Sequence, residues 1–237
     1  MESLLSNSHH SPVSVDEMRL IEKKATKIGI GTIVMMENAG NALASCIVNS
    51  LSLGELRAES GKRVRALFVA GVGNNGGDTF VGARHLAYWK DRFDIAVALI
   101  GYPRDIRSEE AQTNWKILLK IRGIKRFTVT NVSKIRQLRT ALSDADVVIV
   151  GIFGTGFKGK PRDLQRLAID AINSNRKPLK VSVDVPSGLE ADTGKNEYAV
   201  RSDITVTLHA PKIGMLMDVS ARQKCGRIIV ASLGLPF

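Results

Sequence analysis

Cysteine is nearly missing: in 237 residues only Cys46 and Cys225 occur, far apart and in different contexts. That spacing builds neither a disulfide framework nor a thiolate metal site, and reduced thiols in a cytoplasmic protein are the expected state. Aromatic residues make up 5% of the chain, which leaves little for a base-stacking platform. No apolar run approaches the roughly 20 residues of a membrane span. The opening "MESLLSNSHHSPV" carries neither the basic start nor the apolar centre of a signal peptide. Residues 1–14 therefore read as a flexible tail, with His9 and His10 solvated, and residues 15–237 as one domain. Acid is lacking over one long stretch. From Ala111 to Ser143 there is none, while Lys116, Lys120, Arg122, Lys125, Arg126, Lys134, Arg136 and Arg139 are all cationic, in a chain of formal charge +11. Such a stretch attracts the phosphates of a small ligand or of RNA; a solvated basic face is the blander reading.

What is present is a globular composition, 44% hydrophobic and 24% charged, long enough to bury a sizeable core. Ser14 and Glu17 have capping-box spacing, which predicts a helix from Val15. A second helix is expected over Thr32–Ser50, with Ile33, Met36, Ala39, Leu43 and Ile47 on one stripe. Apolar runs at Val64–Ala70, Ile95–Ile100, Phe127–Val129, Val147–Ile152, Leu179–Val183, Ile204–Leu208 and Ile228–Ala231 predict strands. Between them, Asp78–Lys90, Ser108–Ile121, Val132–Leu142 and Pro161–Asn173 predict helices. Continuous apolar strands alternating with helices mean an α/β fold with a mostly parallel sheet covered on both faces. Open sheets of this kind bind ligands beyond the carboxyl ends of their strands.

Three strand ends carry the chemistry. After the first comes "GVGNNGGDTFVGARHL", in which Gly71, Gly73 and Gly76 match the dinucleotide fingerprint. The next strand ends in "ALIGYP" without the acid a dehydrogenase uses on the ribose. Asn74 and Asn75 orient backbone or offer oxygen to a hard cation, and Asp78 either caps the following helix or meets a ligand. After Val147–Ile152 comes "FGTGFKGK", where glycines, the Thr155 hydroxyl and the Lys158 ammonium suit a second phosphate-binding wall, or simply a turn. After Leu179–Val183 comes "DVPSGLEADTGK". Asp184, at a strand terminus, either transfers protons in the crevice or bonds backbone amides of its own turn.

Together these segments resemble the YjeF N-terminal domain family, best known as NAD(P)H-hydrate epimerase. The family pattern G-x-G-N-N-G-G-D-G-x-V-x-A-R-H-L matches Gly71–Leu86, D-A-x-F-G-T-G-x-x-G matches Val150–Gly159, and S-V-D-x-P-S-G matches Ser182–Gly188. "MMENAG" at Met35–Gly40 and "HAPKIG", ending at Gly214, are similar to two further family segments. The resemblance implies a Rossmann-like three-layer α/β/α sandwich that interconverts the R and S forms of hydrated NADH and NADPH. It implies substrate binding by Asn74, Asn75, Gly76, Gly77 and Asp78, by Gly154, Thr155, Gly156, Phe157, Lys158, Gly159 and Lys160, and by Asp184. Asp184 is the expected acid–base, with Lys158 orienting phosphates. Asn75 and Ser187 are expected to help hold potassium. Two departures stand out: Val150 replaces a family aspartate that is a further potassium ligand, and Thr79 replaces a glycine. The resemblance also implies a separate ADP- or ATP-dependent dehydratase as pathway partner, while apolar residues of the first two helices would suit a homodimer. The same domain in messenger-RNA decapping scaffolds gives the alternative, a non-catalytic module contacting RNA.

Overall fold

The apolar runs marked in the sequence all become strands: β1 (Val64–Ala70), β2 (Phe93–Ile100), β3 (Lys125–Val129), β4 (Val147–Gly151), β5 (Leu179–Val183), β6 (Ile204–Leu208) and β7 (Arg227–Ala231). The structure is a computed structural model that describes residues 11–56 and 61–236. Of the expected tail, residues 1–10 therefore lie outside the described residues. The strands form one sheet of order β3-β2-β1-β4-β5-β6-β7, and every neighbouring pair is parallel. The order reverses between β1 and β4. That reversal opens a crevice at the carboxyl ends of β1 and β4, the place where such sheets take ligands.

Because side chains alternate across a strand, the sheet feeds two cores. Ala66, Phe68 and Ala70 of β1, with Val147 and Ile149 of β4, join α2 (Thr32–Ser52), α3 (Asn74–Leu86) and α4 (Glu109–Lys120) on one face. Leu67, Val69, Val148 and Val150 join α5 (Ile135–Asp144) and α6 (Asp163–Ser174) on the other. These are the three layers of a Rossmann-like sandwich. A smaller cluster gathers α1 (Val15–Lys27), the turn after β5, α7 (Ile213–Leu216) and α8 (Val219–Cys225) around Val15, Val185, Leu189 and Met215. Helix α1 begins with both bonds of the expected capping box: Glu17 N–H donates to Ser14 Oγ at 3.2 Å, and Ser14 N–H to Glu17 Oε2 at 2.7 Å. Among the described residues no helix is long and apolar enough to cross a membrane.

Several boundaries move. Helix α3 starts at Asn74 rather than Asp78, with Gly73 as N-cap. Two glycines in its first turn argue against helix by propensity, but tertiary packing overrides this. A Cβ on Gly76 would lie 2.0 Å from the Gly71 carbonyl oxygen, and one on Gly77 would lie 2.6 Å from Met36 Cε. Asp78 is thus inside the helix and caps nothing. At its far end α3 stops at Leu86 and tightens into a 3-10 turn over Ala87–Trp89. Helix α5 is likewise preceded by a 3-10 turn, Val132–Lys134, capped by the Asn131 side chain. On α2 the stripe holds for Met36, Ala39, Leu43 and Ile47, each at most 2% exposed, whereas Ile33 in its first turn is 42% exposed. Cys46 and Cys225 are free thiols, both buried.

Candidate active site

Helix α3 enters the crevice with its first turn, and Asn75 ties the three strand ends together. Its Nδ2 donates to the carbonyl of Phe153 at 2.7 Å, after β4, and to that of Val183 at 3.0 Å, at the end of β5. Ser187, fully buried, completes the tie: its Oγ accepts from the N–H groups of Ile152 (3.1 Å) and Phe153 (3.0 Å) and donates to the Phe153 carbonyl at 3.1 Å. Thr79 is also fully buried. Its hydroxyl donates to the Asn75 carbonyl at 2.7 Å and lies over Gly151, where a Cβ would come within 2.0 Å of it. The threonine therefore fills the helix–sheet seam.

Asp184 is held differently. Its φ is 64°, a left-handed conformation that a side-chain-bearing residue adopts only when its surroundings compensate the strain. The backbone turn aims the carboxylate at β6, where Oδ1 accepts from Leu208 N–H at 3.2 Å and from the Lys212 ammonium. Lys212, 1% exposed, also donates to the Leu208 carbonyl at 2.7 Å and to Thr207 Oγ1 at 3.2 Å. All three donors of the ammonium are thus engaged, which is what a buried lysine requires. Asp184 is 8% exposed and Asp78, on α3, is 9% exposed. Burial is the main cause that raises the Asp78 pKa well above the usual carboxylate range; the charges of Asp184 and Glu22 add to it, and Lys212 opposes them. Glu22, exposed on α1, is also raised, first by desolvation of its carboxyl and then by Asp184. Asp78, Asp184 and Lys212 are the buried charged groups of the crevice.

The lysine is pinned from the N-terminal side. Val13 pairs with Lys212 as an isolated parallel bridge: Val13 N–H donates to the Pro211 carbonyl at 2.9 Å, and Ile213 N–H donates to the Val13 carbonyl at 3.0 Å. Position 13, expected as tail, is part of the frame of the site.

The loop after β4 forms the outer wall. Phe153 and Phe157 stack with centroids 4.7 Å apart, and Gly154 packs against Asn75. Lys158, Gly159 and Lys160 lie exposed on the rim. Gly159 N–H donates to Glu190 Oε1 at 2.8 Å. The Thr193 hydroxyl and that amide hold the Glu190 pKa below its ordinary value.

A cation site at Asn75 and Ser187 is tested by these partners. Asn75 Oδ1 is buried and without a hydrogen-bond partner, as an oxygen ligand would be. The Ser187 hydroxyl, however, is already saturated. Val150 is 0% exposed in the apolar cluster on the α5–α6 face and brings no oxygen. Asp146 offers none either: it sits before β4, at the opposite end of the sheet, paired with Arg65 at 2.8 Å. One free amide oxygen does not fit a potassium ion, which needs several. Among the described residues no group of three or more His, Cys, Asp or Glu is placed to hold a metal.

Sequence reasoning missed the role of Lys212. Lys212 lay in the quoted "HAPKIG" segment, but nothing in the sequence tells that it folds back to Asp184. The "RH" of the first motif proves architectural. Burial raises the Glu37 carboxyl, but hydrogen bonds from Arg84 and His85 (2.7 Å) win and hold its pKa low, tying α2 to α3. The basic stretch lies around the β3 edge, where Phe127, Lys134, Arg136, Gln137, Thr140 and the acidic Asp144 line a depression of about 500 Å³.

Comparison with known proteins agrees with this architecture. The chain is 38% identical over 225 residues to the bifunctional NAD(P)H-hydrate repair enzyme Nnr of Methanothermobacter thermautotrophicus, covering 93% of this chain and 40% of that protein. It spans about two fifths of the length of such bifunctional relatives. It is 37% identical over 225 residues to the NAD(P)H-hydrate epimerase of Cenarchaeum symbiosum, covering 94% of this chain and 95% of that one. A crystal structure of the yeast protein ynu0 superposes with TM-score 0.75 at 24% identity, covering 96% of this chain and 89% of that one, and shares the fold. The family model described as YjeF-related protein N-terminus matches residues 32–214, and the chain belongs to that family.

Proposed function

We propose that this chain is an NAD(P)H-hydrate epimerase, interconverting the R and S forms of hydrated NADH and NADPH. The observation that carries the reading is the buried Asp184–Lys212 pair beside Asp78 at the strand-end crevice, in a chain matching epimerases along nearly their whole length. The hydrate bears a hydroxyl at C6 of its reduced ring. Loss of that hydroxyl as water leaves a cation stabilised by the ring nitrogen, and water returns to either face. The protein must give one proton and take one, with no redox change, so a ribose-binding acid of the dehydrogenase type is not needed. Asp78, its pKa raised, is suited to hold a proton; Asp184, ion-paired with Lys212, is suited to accept one. Lys158 and Lys160 on the rim would attract the phosphates. No step is assigned to potassium, because the oxygen set at Asn75 and Ser187 is incomplete without a carboxylate at position 150.

Buried free thiols suit a reducing compartment such as the cytoplasm. The exposed Leu20, Ile28, Ile33 and Val34 support a homodimer. A separate dehydratase as pathway partner fits relatives named bifunctional NAD(P)H-hydrate repair enzymes, in which this chain matches about two fifths of the length and leaves room for a second activity. The test is chiral chromatography of hydrated NADH, comparing initial rates with the spontaneous reaction. We expect acceleration by the wild type and a loss of about 100-fold in Asp184→Asn with the fold retained; a wild type no faster than buffer refutes the reading.

A further inference from the structure

With the reacting ring beside Asp184, just after β5, and the phosphates at the first turn of α3, just after β1, the adenosine end of a dinucleotide extends past β1 toward its outer neighbour, β2. From β5 to β2 is three strand spacings, about 14 Å, a span for an extended dinucleotide. The segment after β2 is locked to the glycine turn after β1. Arg107 N–H donates to the Val72 carbonyl at 2.9 Å, and a Cβ on Gly101, whose φ is 131°, would lie 2.9 Å from Val72 Cγ1. Beside this junction Pro103, Arg104, Ile106, Gln112, Trp115 and Lys116 line a depression of about 330 Å³. Its lining holds two cations and no acid; Asp105, Glu109 and Glu110 are near in sequence but do not line it. The Arg104 guanidinium lies over the Tyr102 ring, 4.4 Å from the centroid, which fixes its plane and leaves its N–H edge open to an anion. The walls are braced: Gln112 Nε2 donates to the Ile106 carbonyl at 2.8 Å, and Trp115, 7% exposed, packs on Phe80 of α3 with centroids 5.1 Å apart. Among the described residues neither Arg104 nor Lys116 has a carboxylate partner.

We propose that Arg104 and Lys116 hold the 2′-phosphate of the adenosine ribose, so that the crevice selects hydrated NADPH over hydrated NADH. The inference rests on the hydrate-epimerase reading above and names the substrate within it. The two dinucleotides differ only in that phosphate, so discrimination between them requires a group that meets it. In dinucleotide-binding sheets the strand after the glycine turn decides the matter. An acid at its end bonds the free ribose hydroxyl, whereas an arginine nearby takes the phosphate. Here the chain runs Ile100, Gly101, Tyr102, Pro103, Arg104, uncharged until the arginine. A phosphate set between the guanidinium and the ammonium gains charge-assisted hydrogen bonds. The ribose hydroxyl of NADH brings no charge to these cations.

The experiment uses the full chain as wild type, Arg104→Ala, Lys116→Ala and, as a charge control on the β3 edge, Lys134→Ala. Initial rates on the purified R-hydrates of NADPH and NADH give kcat and KM for each. The wild type is expected to favour the NADPH hydrate about tenfold or more in kcat/KM. Arg104→Ala is expected to bring that ratio within about threefold, through KM rather than kcat. Lys116→Ala should lower the ratio as well, and Lys134→Ala should keep it. A wild type indifferent between the hydrates overturns the inference, as does an Arg104→Ala that loses both hydrates equally. Calorimetry gives a readout independent of turnover. Adenosine 2′,5′-bisphosphate should bind the wild type about tenfold more tightly than adenosine 3′,5′-bisphosphate, which carries the same charge, and Arg104→Ala should erase the difference. Equal binding of the two isomers by the wild type overturns the inference. A wild type that epimerises neither hydrate overturns the functional reading, and the calorimetry then decides the phosphate site by itself.

Discussion

Replacing Asp78 with asparagine separates what the site costs in stability from what it does in catalysis. The Asp78 carboxyl is 9% exposed, and burial, Asp184 and Glu22 hold its pKa well above the usual carboxylate range. In the unfolded chain the same group releases its proton near pH 4. Between that pH and the raised folded value, the native state binds one proton more than the unfolded state. Stability must therefore fall as pH rises through this window, by about 1.4 kcal/mol per pH unit for one group. The contribution is fully present below about pH 4 and lost once the pH passes the folded pKa. Asparagine carries no charge at any pH and lacks the slope. Asp78→Asn should thus match the wild type near pH 4 and become progressively more stable than it toward neutral pH, while epimerisation falls. The assay is urea unfolding of both proteins at half-unit steps from about pH 4 to 8. Parallel stability curves across the whole range would refute the claim that an unfavourable carboxylate is stored here.

Lys212→Met keeps most of the side chain's apolar stem but leaves Asp184 without its ammonium; we expect a loss of about 3–5 kcal/mol at pH 7 by denaturant unfolding, and a change below 1 kcal/mol would show that the pair does not hold the turn. Val150→Asp puts a carboxylate into an apolar cluster, so it should destabilise the protein by several kcal/mol, about 3 or more. Potassium should restore part of that variant's stability relative to sodium at equal ionic strength, whereas the wild-type melting temperature should not respond to the exchange. A wild type stabilised by potassium would show a more complete oxygen set than the one described. Gly76→Ala should lower the melting temperature by several degrees, about 1–3 kcal/mol, because the added carbon would meet the Gly71 carbonyl at 2.0 Å; an unchanged melting temperature would place the loop farther from the helix.

The strand layer was legible because buried parallel strands are continuous apolar runs, and such runs need no knowledge of their neighbours. Helix starts fared worse wherever tertiary contacts outweighed propensity. Asn74–Gly77 looks like a loop by composition, yet it is a helical turn, and its glycines are there because Gly71 and Met36 leave no room for a side chain at positions 76 and 77. Asp184 was visible as an acid at the end of a strand. Lys212 was not, because its role depends on a turn after β6 that returns the ammonium to β5.

The bridge between Val13 and Lys212 means that the candidate site is made of the near beginning and a late part of the chain. A ribosome releases β1, β4 and β5 well before residue 212 emerges, so the central sheet can assemble while Asp184 still lacks its cation. Until then α1 has no Lys212 strand segment to bridge, and the carboxyl cluster is a set of like charges without compensation. The site is completed only as β6 and the turn after it arrive. During synthesis, then, completion of the Asp184–Lys212 pair trails the appearance of the strands that frame the crevice.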